Sequence, residues 1–154
     1  MASENDASSS SSSKKLGEDQ VNNNKNLNVL VVDDDPLIRM LHDTYLKHFG
    51  LEPQVAENGK KAIDLFRLGT SFDLVLMDKE MPIMNGVEAT KALRAMGVTS
   101  KIVGVTSRGS PCEMQAFMEA GLNYCFEKPL TLDMITFVLK DFNKGDDDDD
   151  DTDN

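Results

Sequence analysis

The chain has no tryptophan and only 6% aromatic residues among its 154, so no large ring cluster organises its interior. Cysteine is nearly as scarce. Cys112 and Cys125 form no metal-like spacing with each other or with His42 and His48, which argues against a zinc module or a disulfide scaffold. They read as free small hydrophobes. No stretch approaches the roughly 18 consecutive apolar residues of a membrane span, and the polar N-terminus carries no apolar segment of a secretion signal. The expected location is the cytoplasm, with the nucleus also open. Positive charge is short as well, with 16 Lys and Arg against 27 Asp and Glu for a net −11. Without a basic stripe to neutralise phosphates, direct binding to nucleic acid has no electrostatic basis.

What is present divides into three parts. Residues 1–27 hold a serine run at 8–13 and an asparagine run at 22–24 with almost nothing apolar to bury, so a disordered leader is predicted. Residues 146–154 hold an aspartate run whose self-repulsion predicts an extended, solvated tail, and these aspartates supply most of the net charge. Residues 28–145 between them suit one domain, and a second folded domain does not fit. A monomer is expected.

Within 28–145, short β-branched or apolar runs alternate with longer segments of helical period, the pattern of an α/β domain with a parallel sheet. Strands are predicted at 28–32, 52–56, 73–77, 101–105 and 124–126, and helices at 36–49, 59–68, 86–96, 111–120 and 132–143. In the first helix Leu37, Leu41, Tyr45 and Phe49 recur every four residues and are expected to face the sheet, with Pro36 in the first turn and Gly50 at the stop. The VLVV and LVLM runs of strands one and three are apolar on both faces, as central parallel strands must be, so these two are predicted neighbours.

Polar residues that suit chemistry fall at the carboxyl ends of these strands, where open α/β sheets bind ligands. They are Asp33, Asp34 and Asp35 after strand one, Asp78 after strand three, Thr106 after strand four and Lys128 after strand five. Singly, each has a plain structural explanation: an Asp after a strand is more often a helix N-cap, the best reading of Asp35 before Pro36. Jointly they do not. Two carboxylates 4 Å apart repel by about 4 kcal/mol at an effective dielectric of 20, so a set of Asp33, Asp34 and Asp78 calls for protons or a cation. With oxygen donors only, Mg2+ fits better than zinc. Thr106 and Lys128 add donors for anionic oxygens, and Asp78 becomes a plausible nucleophile toward phosphorus.

The segments VLVVDDDP, DLVLMDKEMPIMNG, VGVTS and FEKPL resemble, in order and spacing, the receiver domain of two-component response regulators, over roughly residues 28–143. The resemblance implies a doubly wound five-stranded parallel sheet of order 2-1-3-4-5, the flavodoxin-like receiver fold. It matches Asp78 to the phosphoacceptor, modified to 4-aspartylphosphate, and Thr106 and Lys128 to the phosphoryl-sensing pair. Asp34 matches the direct magnesium ligand, Asp33 a carboxylate acting through water, and Glu80 a backbone-carbonyl ligand. The Lys128-Pro129 bond matches a cis peptide, and Glu80 and Arg108 match positions flanking the path of water to the acyl phosphate. MDKEMP and AGLNYCFEKPLT resemble plant type-C regulators, which lack an output domain. That group implies a phosphorelay linked with cytokinin, a histidine-containing phosphotransfer protein as donor and, behind it, a hybrid histidine kinase. The chain is then a phosphate sink or shuttle and no enzyme toward a separate substrate.

One departure stands out at Cys125, where most receivers carry an aromatic ring whose rotamer follows the Thr hydroxyl. Tyr124 lies one residue away and, on a strand, points to the other face. The rival enzyme is an aspartate-nucleophile phosphatase of the haloacid-dehalogenase type, which would carry Asp-x-Asp with Thr or Val on its first strand; a third reading is a phosphorylation-independent interaction module.

Overall fold

The computed structural model describes residues 27–107 and 109–151, with side chains through residue 142. The leader 1–26, Arg108 and residues 152–154 lie outside the described residues, so the disordered leader and the place of Arg108 beside the path of water are expectations on which the structure is silent.

Five strands and five helices alternate: β1 Val29–Val32, α1 Pro36–His48, β2 Gln54–Ala56, α2 Gly59–Arg67, β3 Leu74–Asp78, α3 Gly86–Ala95, β4 Lys101–Thr106, α4 Pro111–Glu119, β5 Tyr124–Glu127 and α5 Leu132–Asp151. All pairings are parallel and the order is β2-β1-β3-β4-β5, the predicted 2-1-3-4-5. β1 and β3 are neighbours, with Val29 opposite Leu74 and Val32 opposite Met77, and every residue of both is buried. Their residues alternate between two cores. Leu30, Val32, Val75 and Met77 pack with α2, α3 and α4 residues such as Ile63, Leu93 and Phe117, while Val29, Val31, Leu74 and Leu76 pack with Leu46 of α1 and Ile135 and Val138 of α5. That alternation, on strands apolar at every position, is what places helices on both faces.

Of the expected α1 stripe, Tyr45 and Phe49 pack against the core, but the N-terminal half does not. Leu37 is 71% exposed and Leu41 37%, whereas His42 and Leu46 are buried. Stripes beginning at 37 and at 38 share the same period, and the second carries the buried His42 and Leu46. Burial pushes the His42 imidazole down to about 4, so it sits neutral inside. At the other end α5 runs to Asp151, past the predicted stop at residue 143 and into the aspartate run expected to be extended. Once the packed turns are formed, each further residue adds one hydrogen bond at little cost, although aspartates at a helix C-terminus oppose its dipole. No helix among the described residues is long and apolar enough to cross a membrane.

Helix starts follow the local signals. Asp35 accepts from the Leu37 amide at 2.9 Å and caps α1, and Asn85 with Glu88 forms a reciprocal capping box on α3. A guanidinium clamp fixes the opposite edge: Arg94 donates to the Gly121 and Val98 carbonyls and to Asn123 Oδ1, which also accepts from the Ile102 amide.

Candidate functional site

Parallel pairing brings the C-terminal ends of β1, β3, β4 and β5 to one edge of the sheet. Asp78 is the last residue of β3, opposite Val105, and Thr106 is the last of β4, opposite Glu127. Asp33 and Asp34 follow β1, and Lys128 directly follows β5 and precedes the cis Lys128-Pro129 bond. The six residues singled out in the sequence, Asp33, Asp34, Asp78, Glu80, Thr106 and Lys128, thus share one end of the sheet.

Asp33 and Asp78 are buried, at 1% and 2% exposure, and Asp34 is exposed. One carboxylate oxygen from each lies within 4.8 Å of the others. Lys128 reaches into this set, its Nζ 2.9 Å from Asp78 Oδ1 and 3.5 Å from Asp33 Oδ2. At 2.9 Å the Lys128 ammonium is the charged partner of the buried Asp78 Oδ1. Asp33 is better placed: its Oδ1 accepts from the Asp35 amide at 2.9 Å, and its backbone carbonyl accepts from Arg39 at 2.7 Å.

The electrostatics follow from crowding out of water. Burial, reinforced by the Asp33 charge and opposed by the Lys128 ammonium, pushes the Asp78 carboxyl up to about 7. Burial also raises Asp33. For Lys128 burial disfavours the charge, yet its contacts to Asp78 and Asp33 hold it above its usual range. Three clustered carboxylates with one ammonium between two of them suit a further hard cation with oxygen ligands. Asp33, Asp34 and Asp78 fit magnesium, and no Cys or His belongs to the cluster.

The segment leaving Asp78 is pinned at both ends. The Lys79 amide donates to the Val105 carbonyl, the Gly86 amide to the Lys79 carbonyl, and the Gly59 amide to the Met84 carbonyl. A Cβ on Gly86 would lie 2.2 Å from the Asp78 carbonyl oxygen, so only glycine lets α3 begin this close to the site. Between the pins, the Met84 amide closes a three-residue turn on the Pro82 carbonyl, with Ile83 at φ 70°. For an exposed β-branched residue that conformation costs on the order of 1–3 kcal/mol. Nothing in the sequence announced it, since glycine or asparagine is the usual signal for a left-handed residue. The segment walls a cleft of about 480 Å³ lined by Asp34, Lys79, Glu80, Met81, Pro82 and Asn85. A second depression, about 360 Å³ between Arg39, Val55 and Leu65, lies along the β2 edge and contains none of the clustered carboxylates.

Two side-chain arrangements qualify the sequence reading. Thr106 Oγ1 donates to Glu80 Oε2 at 3.1 Å, a role for the Glu80 carboxylate that the backbone-ligand expectation missed. Cys125 packs half-buried toward the α2–α3–α4 core, while Tyr124 lies in the opposite core and donates to Asp141 on α5 at 2.5 Å. Tyr124 therefore does not stand in for an aromatic ring beside Thr106.

The family described as the response regulator receiver domain matches residues 29–140. The chain belongs to that family. It is 60% identical over 109 residues to two-component response regulator ARR22 of Arabidopsis thaliana, covering 70% of this chain and 77% of that protein. With two-component response regulator 24 of the same plant it shares 48% over 117 residues, covering 76% and 84%. Among solved structures, the receiver domain of Ssk1 from Saccharomyces cerevisiae, crystallised with the histidine phosphotransfer protein Ypd1, is 24% identical with TM-score 0.66, covering 71% of this chain and 83% of that one. The receiver domain of the sensor histidine kinase PA1611 from Pseudomonas aeruginosa, solved with magnesium in its active-site cleft, is 22% identical with TM-score 0.66, covering 74% and 94%. Both structural likenesses speak to the fold. This receiver domain thus carries its family's sheet order together with an acidic cluster at the sheet's C-terminal end.

Proposed function

We propose that this chain accepts a phosphoryl group on Asp78 from a histidine-containing phosphotransfer protein, in a magnesium-dependent multistep phosphorelay of the cytokinin type fed by a hybrid histidine kinase. The observation that carries this reading is the Asp78 carboxylate, buried at the end of a central strand, 2.9 Å from the Lys128 ammonium and clustered with Asp33 and Asp34. An Asp78 oxygen forms the P–O bond as the P–N bond to the donor imidazole breaks, and the imidazole leaves with the bonding pair and takes a proton from solvent. Lys128 balances charge beside the acceptor, and the Thr106 hydroxyl and Ser107 amide, at the end of β4, are placed to donate to phosphoryl oxygens. Asp33, Asp34, Asp78 and the Glu80 carbonyl would hold magnesium, which when bound would supply positive charge that offsets the crowded carboxylates and the phosphoryl oxygens.

The partner surface is read from exposure. Leu37, Met40 and Leu41 present an apolar patch on α1 next to Asp35 and Pro36, at 71%, 61% and 37% exposure. An unpartnered helical face beside the acceptor suits the helical phosphotransfer protein. Pro36 and Pro129 are exposed as well, whereas Leu130 is 1% exposed and belongs to the core. Cys125 in place of an aromatic switch, together with the likeness to plant response regulators, supports a sink or shuttle role of type-C character.

Incubation with acetyl phosphate tests the acceptor chemistry. Alkali-labile label is expected in magnesium and is expected to fall to background with a chelator. Equal labelling without the metal would remove magnesium from the account, and steady turnover of a small phosphate ester would favour the phosphatase alternative.

A further inference from the structure

The Glu80 carboxylate is bound by the groups that face an incoming phosphoryl. Its Oε2 accepts from Thr106 Oγ1 at 3.1 Å, and its Oε1 lies 3.4 Å from Ser107 Oγ and 3.5 Å from the Ser107 amide, the longer two being weak contacts. Lys79 Nζ stands 3.9 Å from Oε2. Two carboxylate oxygens thus sit on a hydroxyl and an amide at the end of β4, beside Asp78, much as two oxygens of a phosphoryl group would. The Glu80 side chain is 39% exposed, so it can rotate outward without unpacking the core.

We propose that Glu80 is an internal competitor for the phosphoryl seat, an inference that rests on the acceptor reading of Asp78. In the resting protein the carboxylate occupies the Thr106 and Ser107 donors, and an entering phosphoryl group must displace it. After transfer the released carboxylate stays tethered next to the seat and competes for it again. The device slows acceptance and shortens the residence of the phosphoryl group, as a relay component that must hand on its load requires.

Charge alone could slow acceptance, because Glu80 adds an anion near the site, and two substitutions separate the explanations. Glu80→Asp keeps the charge but is one methylene too short to hold the seat. Glu80→Gln keeps length and an acceptor oxygen but loses the charge. Seat competition predicts that Glu80→Asp and Glu80→Ala both accept phosphoryl from acetyl phosphate about 3–10-fold faster than the unsubstituted chain in magnesium, the effect of losing a partly exposed hydrogen bond to a charged group. Glu80→Gln should fall between. Repulsion alone predicts instead that Glu80→Gln matches Glu80→Ala while Glu80→Asp matches the parent. The Ser107 amide gives an independent readout. Its proton resonance, followed without metal or donor, should move in Glu80→Asp and Glu80→Ala alike, and beryllofluoride with magnesium should bind both variants 3–10-fold more tightly than the parent by titration. If Asp78-dependent label appears but Glu80→Asp tracks the parent in rate and affinity, seat competition is wrong while the acceptor reading stands. If neither parent nor variants take label at Asp78, both fall together.

Discussion

Asp78→Asn is expected to bring phosphoryl labelling to background while the domain remains folded. The amide is nearly isosteric with the carboxylate, and Asp78 ends a strand whose five residues are all buried, so its shape matters to the packing. An amide oxygen cannot form the acyl phosphate. The neighbouring carboxylates are poor substitutes: Asp33 is engaged by the Asp35 amide and by Lys128, and Asp34 faces solvent. Undiminished alkali-labile label in this variant, located by peptide mapping, would move the acceptor to another residue.

The same substitution has a second consequence, expected to be large without metal. Burial raises the Asp78 carboxyl from its usual 3.8 to about 7, so the folded state binds this proton more tightly than the unfolded chain. Its contribution is therefore complete at low pH and is lost as pH rises from about 4 through about 7. His42 acts with the opposite sign. Its folded value lies near 4 against the usual 6.5, so it destabilises the fold as pH falls through that interval. The two slopes oppose each other in the parent protein, and the difference between Asp78→Asn and parent isolates the carboxylate. That difference should be near zero or slightly negative at pH 4 and favour the variant at pH 8. The linkage bound is about 4 kcal/mol; about 2 kcal/mol is expected, because Lys128 loses one of its two carboxylate partners. Added magnesium should shrink the gap by stabilising the parent. Denaturant melts at several pH values in a chelator check this, and a difference that does not change with pH would contradict the placement of a strained charge at Asp78.

Much of the fold was legible because its signals are redundant. The runs VLVV and LVLM have the pattern of central strands, and Asp33, Asp78, Thr106 and Lys128 each lie at or just past the end of a strand, so a shift of one or two residues in any boundary still leaves them on one edge. Three features were not legible, for different physical reasons. Only the Tyr45 and Phe49 half of the α1 stripe faces the core, because the stripe from Ile38 has equal periodicity and a buried neutral His42 looks polar in a sequence. The left-handed Ile83 carries no compositional mark, since its conformation is imposed by the pins on either side of the loop. The reach of the Glu80 carboxylate toward Thr106 is set by a side-chain rotamer, which no spacing of residues encodes.

The most direct measurement of the central claim is transfer between two proteins. A histidine phosphotransfer protein carrying radiolabelled phosphohistidine is mixed with this chain in magnesium, and label is followed on both partners over time. The account predicts that label leaves the donor, appears transiently on this chain as an acid-stable, alkali-labile species that maps to Asp78, and ends as inorganic phosphate. Asp78→Asn should leave the donor charged, and charged substitutions at Leu37 and Met40 should slow the transfer while sparing labelling by acetyl phosphate. A donor that keeps its label in the presence of the unsubstituted chain, across the donor concentrations tested, would contradict it.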